Sequence, residues 1–130
     1  MHRNHLIAAA LLAGLGVAAG AFGAHGLERI TTDEKILHGF RTGVDYQLYH
    51  ALALLVIAGF YDKLPANWMK RAGGCFIAGI ILFSGSLYLL TFFKIEGSSA
   101  VKFLGPITPL GGLFFIAGWL CLLIAAVKKR

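Results

Sequence analysis

The chain has 130 residues, 58% of them hydrophobic and 14% charged, with 17 glycines, a mean hydropathy of +0.75 and a formal net charge of +6. Water-soluble domains run near 45–50% apolar and about 25% charged, so this composition excludes an ordinary soluble fold and points to an all-α integral membrane protein. The isoelectric point near 9.6 does not imply nucleic-acid binding, because the Lys and Arg residues are scattered between apolar runs and gather on no polar face.

Four apolar stretches long enough to cross a bilayer follow in order, over 6–24, 44–61, 72–93 and 110–127. They predict one membrane domain over 1–130, built as a four-helix bundle. The first stretch exceeds the roughly 7–15 apolar residues of a signal peptide and is expected to be retained, although Ala19-Gly20-Ala21 supplies the small residues a signal peptidase cuts. Cys75 and Cys121 lie in apolar runs without a CxxC spacing and read as small buried residues, not as a disulfide framework.

Topology follows from the basic residues. Arg3, Lys63, Lys70, Arg71, Lys128, Lys129 and Arg130 fall on one side of the four spans with the single acid Asp62. Arg29, Lys35, Arg41, Lys94 and Lys102 fall on the other side, matched by Glu28, Asp33, Glu34, Asp45 and Glu96. The net charge therefore sits on the first side, and the positive-inside rule places both termini in the cytoplasm.

The longest connection, over 25–45, contains Thr31 with Glu34 three residues on, a capping-box spacing, and then Ile36, Leu37, Phe40, Val44 and Leu48 at intervals of three and four. A short amphipathic helix is expected to start near Thr32 in this outer loop. It either lies along the interface before the second span or runs straight into it, with Gly39 and Gly43 marking a bend or a packing seam. Arg41 and Asp45 have the spacing of an ion pair, against which stands a simple solvated face.

Helices in lipid associate through close backbone approach, which small residues permit. Ala10, Gly14 and Ala18 form one such row in the first span, and Gly16, Gly20 and Ala24 form another, with Gly23 beside it. Gly74, Ala78, Gly79 and Gly85 in the third span and Gly111, Gly112 and Gly118 in the fourth continue the pattern. Two close faces on one helix lead to the expectation of packing within the chain and also in a homo-oligomer or a larger membrane complex.

The unusual polar residues gather toward the outer leaflet. They are His25 at the end of the first span; Asp45, Tyr46, Gln47, Tyr49 and His50 at the start of the second; Ser84, Ser86 and Tyr88 in the third; and Pro106, Thr108 and Pro109 before the fourth. Polar groups at membrane depth face a bundle interior or a wet cavity, so their convergence marks a candidate ligand site. His50 lies a full turn inside the apolar boundary, where it serves either as a ligand or proton carrier, or as a structural group bonded to Ser84, Tyr88 or a backbone carbonyl. His25 reads first as a helix cap. His25 and His50 are weak metal or haem candidates, to which His38 and Asp45 add without any HxxxH or CxxC spacing, and no cofactor is strongly implied. Tyr46, Tyr49 and Tyr88 also fit an interfacial aromatic belt.

The segment Gly105-Pro106-Ile107-Thr108-Pro109-Leu110-Gly111-Gly112 lacks two backbone donors. It reads either as a re-entrant turn leading into the fourth span or as an ordinary outer loop with Pro at a helix start.

Taken in order, GAFGAHGL, YQLYHALALL, FSGSLYLL and GPITPLGG resemble the transmembrane protein 256-like family, which is catalogued under a domain of unknown function. Its members are small multi-pass proteins of bacterial inner membranes and, in eukaryotes, of mitochondria. The resemblance covers almost the whole chain. It implies a retained first span and points to His25, Tyr46, Gln47, His50, Ser84, Ser86, Tyr88, Pro106 and Pro109, but it implies no established activity.

Three functions compete on this reading. The first is a non-enzymatic module binding a ligand, a lipid or a partner helix through the outer-leaflet cluster. The second is a haem- or metal-binding redox protein using His25 and His50. The third is a minimal oligomeric transporter, although the first span lacks the buried Glu that marks small multidrug exporters. An enzyme is least supported, since no nucleophile–base pair, carboxylate pair or phosphate loop is legible.

Overall fold

A computed structural model describes residues 1–128 of the chain; Lys129 and Arg130, which belong to the basic C-terminal group, lie outside the described residues. All regular structure among the described residues is helical. Helix α1 covers Arg3–His25, and a 3₁₀ turn at Leu27–Arg29 leads to α2, Glu34–Phe60. Helix α3, Ala66–Gly79, passes through a π-helical turn at Ile80–Ser84 into α4, Gly85–Glu96. A short α5, Val101–Leu104, precedes α6, Ile107–Val127. Four helical stretches, Arg3–Arg29, Glu34–Phe60, Ala66–Glu96 and Val101–Val127, are long and apolar enough to cross a membrane.

The helix expected in the first loop is the first part of α2, which runs straight through Gly39 and Gly43 without a break. Its cap differs from the expected capping box. Asp33 Oδ1 accepts from Lys35 N at 2.9 Å, while Thr31 Oγ1 accepts from Asp33 N at 3.2 Å, so the helix starts two residues beyond Thr32. Arg41 pairs with Glu34 at 3.6 Å instead of Asp45, and both partners are exposed. At the end of α4, Gly97 takes φ +70°, and the amides of Gly97 and Ser98 return to Lys94 and Phe93 carbonyls, the left-handed closure that glycine permits.

No re-entrant turn forms before the fourth span. Pro106 is the N-cap of α6 and Pro109 falls in its first turn, where the missing N–H removes a donor that has no intrahelical acceptor in any case. Helix then continues through Gly111 and Gly112.

The helices pack in sequence order: α1 lies extensively on α2, α2 on the α3–α4 rod, and that rod on α6. Neither α1 nor α2 forms an extensive backbone interface with α6. The glycines explain the two tightest seams. A Cβ on Gly16 would lie 2.8 Å from Leu48, one on Gly20 3.3 Å from Val44, and one on Gly23 2.9 Å from Phe40. Along α3 and α6, Phe76 seats on Gly118, Phe115 on Gly79, and the backbone of Phe83 against Gly111. The paired positions step equally in opposite directions, giving an antiparallel zipper. Gly112 makes only an ordinary 3.9 Å contact, and Gly14 has nothing within 4 Å, so the row Ala10, Gly14 and Ala18 lies on an exposed face.

Two apolar clusters fill the interior. One joins Leu54, Ile57, Met69, Phe76, Ile80 and Phe115; the other joins Leu27, Leu37, Phe40 and Val44.

Candidate functional site

Helix α2 is the axis of the polar band, because Gly43, Gln47 and His50 recur on its buried face at intervals of three and four. Gln47 uses both ends of its amide: Nε2 donates to the Leu12 carbonyl of α1 at 2.8 Å, and Oε1 accepts from Tyr88 of α4 at 2.6 Å. Ser84 Oγ donates to the Gly43 carbonyl at 2.6 Å, and Ser86 meets both the Phe83 carbonyl at 2.9 Å and Thr108 Oγ1 at 2.5 Å. Tyr88 lies on Gly43, where a Cβ would be 2.9 Å from its ring. These bonds bridge every neighbouring pair of spans. In an apolar medium they satisfy groups that water does not reach, and they tie the row together.

His50 has both ring nitrogens occupied. Its Nδ1 lies 2.7 Å from the Tyr46 carbonyl, and its Nε2 accepts from Trp119 Nε1–H at 3.1 Å. An indole nitrogen only donates, so Nε2 is unprotonated and the proton sits on Nδ1, donated to the carbonyl. The ring stacks on Phe115 with centroids 3.6 Å apart and 7° between planes. The bond to a backbone carbonyl is the contact expected of the structural alternative. Trp119 was absent from the sequence candidates; its signal is an indole N–H deep in an apolar run, which needs an acceptor.

His25 stands at the exposed end of α1 beside its C-cap, Gly26. Gly23 packs at the level of Phe40 on α2, so His25 is about a dozen residues from His50 in register, roughly 18 Å along the helices. The two cannot share one metal or haem in this arrangement. Among the described residues no three His, Cys, Asp or Glu side chains converge on a metal-sized centre. Asp45, Tyr49 and Pro106 are exposed, and the Tyr49 ring lies 5.8 Å from that of Tyr46.

What the band supports is a groove of about 430 Å³ on the outer surface of the helices, between α2 and α6. Tyr46 and His50 line it from α2, Phe83 from the π turn, and Pro109, Gly112, Leu113, Phe115, Ile116 and Trp119 from α6. The row-like packing creates it, since α2 and α6 are held apart by the rod between them. The π turn admits one extra residue per turn and places Phe83 4.7 Å from Tyr46. Gly112 leaves the floor open.

Residues 19–112 match the family described as "Protein of unknown function (DUF423)". The chain belongs to the DUF423 family. The DUF423 segment spans the end of α1 through the first turns of α6 and so contains Tyr46, His50, Phe83 and Gly112 of the groove. The UPF0382 membrane protein YwdK of Bacillus subtilis is 48% identical over 124 residues, 95% of each chain. A UPF0382 membrane protein of Haemophilus influenzae is 38% identical over 131 residues, 100% of this chain and 98% of its own, and one of Schizosaccharomyces pombe, C1782.12c, is 36% identical over 89% and 95%. No solved structure matches the chain. These descriptions agree with the expected resemblance in naming membrane proteins of unknown function, and they do not carry the transmembrane protein 256-like name.

Sequence reasoning also missed His2 and His5. Their rings stack 4.1 Å apart beside Tyr61, and the His5 ring rests on Gly73 of α3. The His2 amide donates to the Ala58 carbonyl at 3.0 Å, and the Met1 amino group pairs with Asp62. This cluster fastens the start of α1 to the α2–α3 turn, at the opposite end of α1 from His25.

Proposed function

We propose that this protein is a non-enzymatic membrane module that takes a lipid-soluble ligand into the groove between α2 and α6. The groove itself supports the reading: about 430 Å³ on the outer surface of the helices, walled by aromatic rings, over polar groups that already have partners. Its chemistry suits an apolar chain or a flat ring held by stacking, with the Tyr46 phenol at its edge. A groove reached from the side of the helices suits a bound ligand better than a transported one, which favours this reading over a transporter.

Reconstitution with a diazirine-bearing phospholipid tests it. Label is expected to concentrate on peptides carrying 46–50 and 109–119 and to fall in Gly112→Leu, whose side chain fills the groove. Even labelling around all four spans, unchanged by the substitution, would contradict it.

Three further parts belong to the same proposal. The protein sits in the bacterial inner membrane. Both termini face the cytoplasm, as the basic residues at the ends and at 63–71 direct; a fluorescent C-terminal green-protein fusion is expected, and an active C-terminal phosphatase fusion would refute this. Copies associate through the exposed row Ala10, Gly14 and Ala18; Gly14→Leu is expected to shift the protein to smaller assemblies in gentle detergent, and an unchanged mass would exclude that face.

A further inference from the structure

Cys75 on α3 and Cys121 on α6 are both free and half-buried, and they face one another across the zipper joining the third and fourth spans. Gly118, one turn before Cys121 on the same face of α6, brings that backbone so near that a Cβ there would lie 3.2 Å from Cys75 Cβ. That contact sets Cys75 at the level of Gly118, one turn from Cys121, in a close-packed part of the zipper. The two side chains are near enough to interact. Neither thiol lines the groove, so the pair is a second feature, independent of the ligand proposal.

We propose that Cys75 and Cys121 form an intramembrane dithiol that a lipid-soluble quinone oxidises to a disulfide locking α3 to α6. Two S–H bonds break and one S–S bond forms. The two electrons and two protons pass to the quinone, which leaves as the quinol with two O–H bonds, so atoms and charge balance. The position dictates the class of oxidant. Cys75 is about 14 Å along α3 from its start at Ala66 and Cys121 about 9 Å along α6 from its end at Val127, at 1.5 Å per residue, which places both thiols inside the spans. A charged aqueous oxidant does not partition to that depth, whereas a quinone does, and its potential lies above that of a thiol–disulfide couple. The glycine contacts of the zipper hold the two backbones close together at this level.

The test uses the intact wild-type chain in lipid nanodiscs. Duroquinone is added, the quinone is removed, and free thiols are counted with maleimide after denaturation in SDS, alongside peptide mapping by mass spectrometry. The expected result is a fall from two free thiols per chain to none, a linked peptide pair carrying Cys75 and Cys121 within one chain, and recovery of both thiols on adding a phosphine reductant. Oxidised glutathione is expected to act far more slowly. Two thiols remaining after quinone treatment, or a link found only between chains, would overturn the proposal, and equal rates with glutathione would overturn the route through the lipid. Cys75→Ser and Cys121→Ser each retain one free thiol through the treatment if the pair is the reacting unit; loss of that thiol within a single chain would also count against it.

Discussion

An indole N–H placed in an apolar medium without an acceptor is costly, and Trp119 avoids this by donating to Nε2 of His50. That single bond fixes the tautomer of His50 and, through it, the donor to the Tyr46 carbonyl. Nitrogen NMR of ring-labelled protein is expected to show a protonated Nδ1 and a bare Nε2; the reverse would contradict the assignment. Trp119→Phe keeps the ring and loses the bond, lowering stability by about 1 kcal/mol in reversible SDS unfolding. The adjacent glycines 111 and 112 give a sharper contrast. A Cβ at Gly111 meets the Phe83 backbone, which cannot move aside, so Gly111→Ala is expected to destabilise by about 1–3 kcal/mol, while Gly112→Ala is nearly neutral by the same assay. Equal effects would show that the zipper does not control the α3–α6 approach. Gln47 and His50 were legible as polar groups in an apolar run. The partner Trp119 was not, because a tryptophan in a span reads first as an interface anchor, and His2 and His5 were hidden by their place ahead of the first apolar run.

At the scale of elements, the length of the apolar runs announced four membrane-length helices but not the changes of winding within them. The π turn at Ile80–Ser84 has no residue signature beyond the Ser84-Gly85-Ser86 cluster that follows it. It alters the phase of everything downstream by one residue, about 100° around the helix, and so aims Ser86 at Thr108 and Tyr88 at Gln47. Deleting the exposed Ile81 is expected to restore α-helical winding, rotate α4 away from these partners and lower stability by about 1–3 kcal/mol, comparable to the loss of two interhelical hydrogen bonds. A deletion that unfolds at the wild-type midpoint would show that the π turn does not set this register. The two open alternatives in the sequence, at the start of α2 and at the start of α6, were both settled by capping. Asp33 and Pro106 each begin a helix that then runs uninterrupted, since a proline in the first turn removes only a donor that has no intrahelical use.

For the whole molecule, the order of packing matters more than the number of spans. A closed bundle would bury α1 and α6 against one another; here the extensive contacts follow chain order, and α1 keeps an exposed face of small residues while α6 stands off α2. The sequence disclosed a polar cluster toward one leaflet, and the structure divides it: Gln47, His50, Ser84, Ser86, Tyr88 and Thr108 are joined to partners, whereas His25, Asp45, Tyr49 and Pro106 are exposed. Pairing between residues on different helices depends on which faces meet, and a single sequence does not carry that. The groove above the bonded groups is the feature a ligand can use. Native mass spectrometry of protein released from native-lipid nanodiscs tests this most directly. The expected result is wild-type protein carrying one defined lipophilic adduct per chain and Gly112→Leu emerging without it at unchanged stability; bare wild-type protein, or the same adduct retained by both, would contradict the account.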